Sequence, residues 1–265
     1  MFYLSVVSHN HLNIINEINI LKKLDKHNDI KIIILDNVEE QGLQEWCNCS
    51  GIDYIVNQEP KGFSANNNLI FNYIQDNFDL TEDDYFLILN PDVYITMEYM
   101  DMLIQKTTSL RPNAFTIDLF KDFNYQNRDP FIRKFPSLKD FISSFLFGVN
   151  NTIIQRDKNT IDNFDWCAGS FICFNIDSYK ALKGFDEGYF MYCEDIDICY
   201  RAQQLNLKID YFSDIKAVHL AQHSNRSIFS KHFIWHIKSI IRFLFKSKTP
   251  KLSSFMGLKN NSSIK

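Results

Sequence analysis

The stretch "DDYFLILNPDV", residues 83–93, decides how the chain is read. It holds a short, aromatic and aliphatic run, Tyr85 to Leu89, and stops at the polar tip Asn90-Pro91-Asp92. So short an apolar run, closed by turn residues, fits a strand buried on both faces. Upstream lie three similar segments: "FYLSVVS" (2–8), "KIIILDN" (31–37) and "DYIVN" (53–57). Between them, "HLNIINEINILKKLD" (11–25) carries Leu12, Ile15, Ile18 and Leu21 at helical spacing, predicting one helix. "FSANNNLIFNYIQDN" (63–77) predicts another, with Ser64 as its cap. Strands alternating with helices predict an α/β fold, a mostly parallel sheet covered on both faces. Ligands of such sheets bind at the C-terminal strand ends, where Ser8, Asp36 and Asn90-Pro91-Asp92 stand.

Farther along, "FKDFNYQNRDPFIRKFPSLKD" (120–140) reads as irregular, either a loop near a site or a variable insertion. "DWCAGSFICFNI" (165–176) predicts a strand, "EDIDICYRAQQLN" (194–206) a helix, and "KIDYFSDIKAVHL" (208–220) one or two late strands.

Composition narrows the function classes. The 265 residues are 45% hydrophobic, 15% aromatic and 23% charged, a globular balance for one large domain or a domain with an appendage. The start "MFYLSVVSHN" lacks the basic opening and apolar length of a signal peptide, and no run reaches a membrane span. The six cysteines form no CxxC pair, which argues against a zinc knuckle and for free thiols in a reducing compartment. The net charge of −4 hides an asymmetry. From Arg226 onward there are nine Lys or Arg and no acid, leaving 19 basic against 32 acidic residues, −13, in the first 225. An acidic body argues against nucleic-acid binding, and the basic tail suggests an anionic surface as its partner.

Several constellations carry possible chemistry. Asp92, just past a buried strand, can hold a cation that also binds a diphosphate, or can merely complete an Asn-Pro-Asp turn. Asp36 can bond a nucleotide or cap a turn. "KGFSANNN" (61–68) sets Gly62 before Asn66, Asn67 and Asn68 at a helix start, suited to an anion or to satisfying the first turn. "YFMYCEDIDICYR" (189–201) places Glu194, Asp195 and Asp197 among aromatics, where unpaired acids are costly. Asp197 and Arg201 are four apart and can pair on a helix, with Glu194 on the same face. Asp195 has no such basic neighbour and is a candidate general base. His219, in a late strand, is either a core residue or a second ligand beside Asp92.

Taken in order, "LDN", "GFSANNN", "FLILNPDV", "WCAGSFI", "GFDEGYFMYCEDIDICYR" and "AVHLAQHS" resemble the inverting family 2 glycosyltransferases of GT-A fold. Within these they resemble the rhamnosyltransferases of bacterial O-antigen assembly, from residue 3 to about 245, including "NRSIFSK". The resemblance implies a Rossmann-like, mostly parallel sheet with flanking helices. It implies transfer of L-rhamnose from dTDP-L-rhamnose to a GlcNAc-diphospho-undecaprenol acceptor. It also implies roles. Asp36 would contact the base; Asn90-Pro91-Asp92 would stand for the DxD element; Asp92 and His219 would hold Mg²⁺ or Mn²⁺. Trp166, Ala168 and Gly169 would line the donor sugar, Asp195 would be the base, and Glu194 would orient the acceptor or the base. Asn90 departs from a strict DxD. The rival classes are a related enzyme using another dTDP or UDP sugar, a non-catalytic sugar-nucleotide or glycan-binding module, and a nucleotidyltransferase.

The expected division is a glycosyltransferase domain over 1–225 and a helical tail over 226–265. In "SIFSKHFIWHIKSIIRFLFKSK" (227–248), Phe233, Ile237, Ile240, Ile241 and Leu244 fall on one helical face. Lys231, Lys238 and Arg242 fall on the opposite one, with Trp235 at its edge. That pattern suits a helix lying on an anionic membrane, here the cytoplasmic face of the inner membrane, although a helix packed on its own core looks the same.

Overall fold

The computed structural model describes residues 1–154, 156, 164–221 and 231–248. The expected domain boundary near 225 and most of "NRSIFSK" lie outside the described residues.

The first four expected strands form as β1 (Phe2–Ser8), β2 (Ile30–Asp36), β3 (Asp53–Val56) and β4 (Tyr85–Leu89). All five residues of β4 are buried, as its unbroken apolar run requires. They join β5 (Val93–Ile95), β6 (Ala114–Phe120), β9 (Phe171–Asn175) and β10 (Ile209–His219) in one eight-stranded sheet of order β3-β2-β1-β4-β9-β6-β10-β5. β2 pairs in parallel with β1 and β3, β1 with β4, and β6 with β10. β9 runs antiparallel between β4 and β6, and β5 runs antiparallel to β10. β7 (Ile132–Arg133) and β8 (Trp166–Cys167) make a separate two-stranded ribbon.

Register positions the site. Ser8 stands level with Asp36, and Asp36 with Val56, so three strand tips end on one line. His219 pairs with Val93, which brings β10's end beside Asp92.

The helices are α1 (Leu12–Ile18), α2 (Leu21–Leu24), α3 (Leu43–Ser50), α4 (Phe63–Asn77), α5 (Met97–Leu110), α6 (Leu138–Phe147), α7 (Ile176–Leu182), α8 (Glu194–Gln204) and α9 (Lys231–Lys248). Three expectations are corrected. The single helix over 11–25 breaks into α1 and α2 because Asn19 turns left-handed at φ 48°, a conformation asparagine tolerates. The strand expected over 165–176 divides into β8 and β9 around a turn at Gly169 and Ser170. Ser64 does not cap α4. The Phe63 N–H is bonded instead by the Phe190 carbonyl at 3.0 Å, which satisfies one of the amides a cap would serve. The Ser64 hydroxyl is buried without a partner.

The cysteines are free; five are buried and Cys49 is exposed. No helix among the described residues is long and apolar enough to cross a membrane.

Candidate active site

Three groups of side chains meet at the C-terminal edge of β1, β2 and β4. The first organises the loops after β1 and β2. Asp36 is fully buried; its Oδ1 accepts from the Val38 N–H and its Oδ2 from the Glu40 N–H and the Tyr54 hydroxyl. In this arrangement Asp36 holds the turn, the alternative its sequence position left open. Ser8 is also buried, and its hydroxyl accepts from the His11 N–H. Asn66 and Asn67 are internal as well. Asn66 Oδ1 accepts from Asn57 Nδ2 at 2.8 Å, and Asn67 Oδ1 accepts from the Ser5 hydroxyl at 2.7 Å. Buried amides must be bonded, and these spend their capacity between α4, β1 and the 57–61 loop rather than in an open cleft. Asn37 completes the net: its Oδ1 accepts from Asn57 Nδ2 and from the Lys61 N–H. Sequence reasoning missed Asn37 and Asn57. Their signal was a polar residue directly after each strand.

The second group surrounds Asp92. Asn90, Pro91, Asp92 and Val93 form a turn closed by Val93 N–H to Asn90 C=O at 3.1 Å, so the turn and the strand-end acid coexist. Across the gap, His219 Nε2 lies 3.5 Å from Asp92 Oδ1, and its Nδ1 lies 2.6 Å from Asp129 Oδ2. Burial opposes charge on this imidazole, but the hydrogen bonds and charges of Asp129 and Asp92 outweigh it and push its pKa up to about 9. Among the described residues no set of three or more His, Cys, Asp or Glu forms a metal cage. Asp92 and His219 can thus supply two ligands, with Asp129 orienting the ring as carboxylates do behind metal-bound histidines. Asp129, in the segment read as irregular, was not anticipated.

The third group is the carboxylate pair. α8 begins at Glu194, immediately after Tyr192 and Cys193, both with positive φ. Glu194 is buried, and its Oε2 has no hydrogen-bond partner. Burial, then the charge of Asp195, pushes its pKa well above the ordinary carboxylate range. Asp195 is half-buried; its Oδ1 accepts from the Ile196 N–H and its Oδ2 from the Gly169 N–H. Burial raises its pKa too, against the pull of those amides and of Arg133. A raised carboxylate is a stronger base than an ordinary one. Trp166 donates its indole N–H to the Lys134 carbonyl, and the Arg133 guanidinium stacks on its ring at 5.3 Å. Ala168 donates its N–H to the Phe131 carbonyl. The expected pairing of Asp197 is present, with Arg201 Nε 2.7 Å from Asp197 Oδ2.

Backbone bonds tie the groups together. Asn90 N–H donates to the Ser170 carbonyl at 3.0 Å, one residue from the Gly169 amide that faces Asp195. Gly62 lies under the Phe190 backbone; a Cβ there would stand 2.2 Å from the Phe190 carbonyl oxygen. The loop before the carboxylates therefore rests directly on the start of α4.

No protein-family model matches the chain. It is 39% identical over 251 residues, 94% of both chains, to rhamnosyltransferase WbbL of Escherichia coli (strain K12). The chain belongs to the rhamnosyltransferase family. The enzyme is also 25% identical over 176 residues to the N-acetylglucosaminyl-diphospho-decaprenol L-rhamnosyltransferase of Mycobacterium tuberculosis, covering 61% of this chain and 55% of that one. Two solved structures share its fold. One is the mannosyltransferase PcManGT from Pyrobaculum calidifontis in complex with GDP-Man and Mn²⁺ (TM-score 0.59, 12% identity, 94% of this chain and 65% of that one). The other is S. aureus TarS 1–349 in complex with UDP-GlcNAc (TM-score 0.56, 16% identity, 84% and 61%). The enzyme is a glycosyltransferase of GT-A fold.

Gly62→Ala tests the seat of the carboxylate loop. The added methyl has no room against backbone, so the loop must lift. Overpacking of this kind costs about 1–3 kcal/mol. A lowered melting temperature together with a larger loss of turnover than of donor binding is expected; a variant indistinguishable from wild type would show that the contact is not needed.

Proposed function

We propose that the enzyme moves L-rhamnose from dTDP-L-rhamnose onto a polyprenyl-diphosphate-linked GlcNAc in surface-polysaccharide (O-antigen) assembly, with inversion at the anomeric carbon. The observation that carries this reading is the Glu194–Asp195 pair, held by Asp195 to the Gly169 amide in the same turn whose Ser170 carbonyl bonds Asn90, two residues before Asp92. The names of the E. coli and mycobacterial relatives support the sugar and the acceptor.

The geometry supports the following roles. The Asp195 carboxylate takes the proton of the acceptor hydroxyl as that oxygen bonds to the anomeric carbon. The bond from that carbon to the diphosphate oxygen breaks on the opposite face, and the nucleoside diphosphate leaves. Glu194, buried and favouring its neutral form, leaves Asp195 as the anion of the pair and orients it. Asp92 and His219 Nε2 are the residues that would hold Mg²⁺ or Mn²⁺, which supplies charge neutralisation for the departing diphosphate. Ser8, Asp36, Gly62, Asn66 and Asn67 shape the nucleotide cleft from beneath. Asn90, Trp166, Ala168 and Gly169 border the donor sugar.

Asp195→Asn should fold and bind donor normally while turnover falls about 100-fold or more. The assay offers a panel of nucleotide sugars with a polyprenyl-diphosphate-GlcNAc acceptor and reads product mass. A hexose other than rhamnose in the product replaces the donor assignment, and near-normal turnover of the variant removes Asp195 from the mechanism. Exhaustive EDTA treatment should abolish activity, with Mn²⁺ or Mg²⁺ restoring it. Full activity after chelation would leave Asp92 and His219 a purely structural pair.

The tail reading is revised by the structure. Helix α9 docks on the enzyme through Phe243, 2% exposed, and Ser239. Arg242, expected to face outward, is exposed and pairs with Asp186 at 2.8 Å. Ile234, Ile237, Ile241 and Phe245 remain exposed on one stripe, and Lys238 stands exposed beside them. α6 likewise exposes Leu138, Ile142 and Phe147. This stripe, free of acids, supports peripheral docking on an anionic membrane at its cytoplasmic face, where a lipid-linked acceptor would be met. Ile234, Ile241 and Phe245 changed together to Ser should lose co-sedimentation with anionic vesicles while keeping activity on a short water-soluble acceptor. Unchanged vesicle binding would remove this face from the membrane.

A further inference from the structure

The inner face of α9 carries a second set of contacts, and several of them fall on residues 186–192, just before Asp195. Arg242 and Lys246 both reach Asp186, Lys246 at 2.6 Å. The Ser239 hydroxyl donates to the Met191 carbonyl at 2.9 Å. Trp235 packs against Phe190 with ring centroids 4.5 Å apart and the rings tilted by 38°. Lys246 then spans to α8 itself, with its Nζ 2.7 Å from Asp197 Oδ1. Asp197 follows Asp195 by two residues and is 1% exposed at its side chain. One lysine thus joins the start of the carboxylate loop to the first turn of the carboxylate helix.

Between these anchors the backbone is in an unusual state. Tyr192 and Cys193 take φ of 73° and 64° in succession. Residues with side chains hold such angles only where their surroundings over-determine them. From below, the loop is fixed by the Phe63 N–H bond to the Phe190 carbonyl. From above, the described contacts come from α9. The aim of Glu194 and Asp195 depends on that clamp, because the left-handed pair is the last turn of chain before them.

We propose that α9 is a strap for the carboxylate loop and that Lys246 is a positioning residue for glycosyl transfer, acting through Asp186 and Asp197. The inference rests on the reading of Asp195 as the base. A merely stabilising role for Lys246 makes a different prediction. Its ion pairs are partly exposed, and Asp197 keeps Arg201 as a partner without it, so the fold should lose little. A shift of the base by about 1 Å, by contrast, can lower turnover by up to about 100-fold.

The test compares Lys246→Met and Lys246→Arg, using whichever nucleotide sugar the wild type turns over and a short water-soluble acceptor. Lys246→Met should lower kcat by about tenfold or more, leave the donor KM within about twofold, and melt close to wild type. Lys246→Arg should restore at least half of the wild-type kcat. Ser239→Ala, which removes only the hydroxyl on the Met191 carbonyl, should lower kcat by about threefold with the same unchanged KM, and decides the matter if Lys246→Met does not fold. Wild-type kcat in the folded variants, or a loss matched by an equal rise in donor KM, overturns the strap. Asp195→Asn is assayed alongside: if it is active, the base assignment fails; if it is dead while the strap variants are unimpaired, the strap alone fails.

Discussion

Strand β9 enters the sheet antiparallel between β4 and β6, and the site depends on that reversal. Parallel strands end at one edge of a sheet, so a strand running against them must begin at that edge. β9 begins at Phe171, paired with Leu89 at the end of β4. The turn before it, Ala168 to Ser170, is thereby delivered to the tips of the parallel strands. The Asn90 N–H bond to Ser170 locks it there, and the Gly169 amide is left facing Asp195. β10 and β5 repeat the device: their antiparallel pairing sets His219 beside Val93, one residue from Asp92. Two reversals in a mostly parallel sheet bring together residues far apart in the chain.

The charges of the site follow from what lies under them. Where an acid serves shape, both oxygens are bonded, as at Asp36, or matched by guanidinium, as at Asp118, which is fully buried against Arg128 and Arg156. Where chemistry is proposed, bonding is incomplete: Glu194 keeps an oxygen without a partner, and Asp195 has a single 3.4 Å amide on the oxygen turned toward Gly169. Buried acids without full compensation favour their neutral form, which is a poor way to stabilise a fold and a useful way to hold a proton acceptor. The acids set among aromatics in "YFMYCEDIDICYR" therefore divide. Asp197 is structural, bonded by Arg201, Lys246 and Tyr189. Glu194 and Asp195 are the pair to which the proposed mechanism assigns the proton transfer.

The parallel half of the fold was legible because β1, β2 and β4 are buried on both faces and read as short apolar runs, while the half-buried edge strand β3 has the same aromatic and β-branched make-up. α4 was legible over its whole length, Phe63–Asn77, from its apolar spacing. β6 was not read, although all seven of its residues are buried, because "AFTIDLF" interrupts the apolar pattern with Thr116 and Asp118. Only tertiary partners, the Phe171 carbonyl for Thr116 and two arginines for Asp118, make those residues tolerable inside a sheet. The same limit explains Asp129. Nothing in "NRDPF" marks it as a partner of His219, since the two are joined across 90 residues by the sheet. The asparagines after "GFSA" left two readings open, a ligand or the first turn, and in the structure Asn66 and Asn67 bond to Asn57 and Ser5 in the interior. An amide buried between elements and an amide facing a ligand look alike until the neighbours are known.

The C-terminal helix is hard to read from sequence because it carries apolar residues on two faces. A helix that only packs on its protein shows one apolar stripe turned inward, and one that only lies on a membrane shows the stripe turned outward. α9 has Phe243 inward and Ile234, Ile237, Ile241 and Phe245 outward, so its hydrophobicity does not fall on a single side. Its basic residues divide in the same way, with Arg242 and Lys246 consumed by Asp186 and Asp197 while Lys238 remains exposed. Arg242 and Lys246 compensate part of the acidic excess of the body at Asp186 and Asp197. In this arrangement the face suited to a bilayer and the face that grips the carboxylate loop belong to one rigid element. Under the two proposals, whatever fixes the outer face of α9 would also fix the helix that contacts the loop before Asp195.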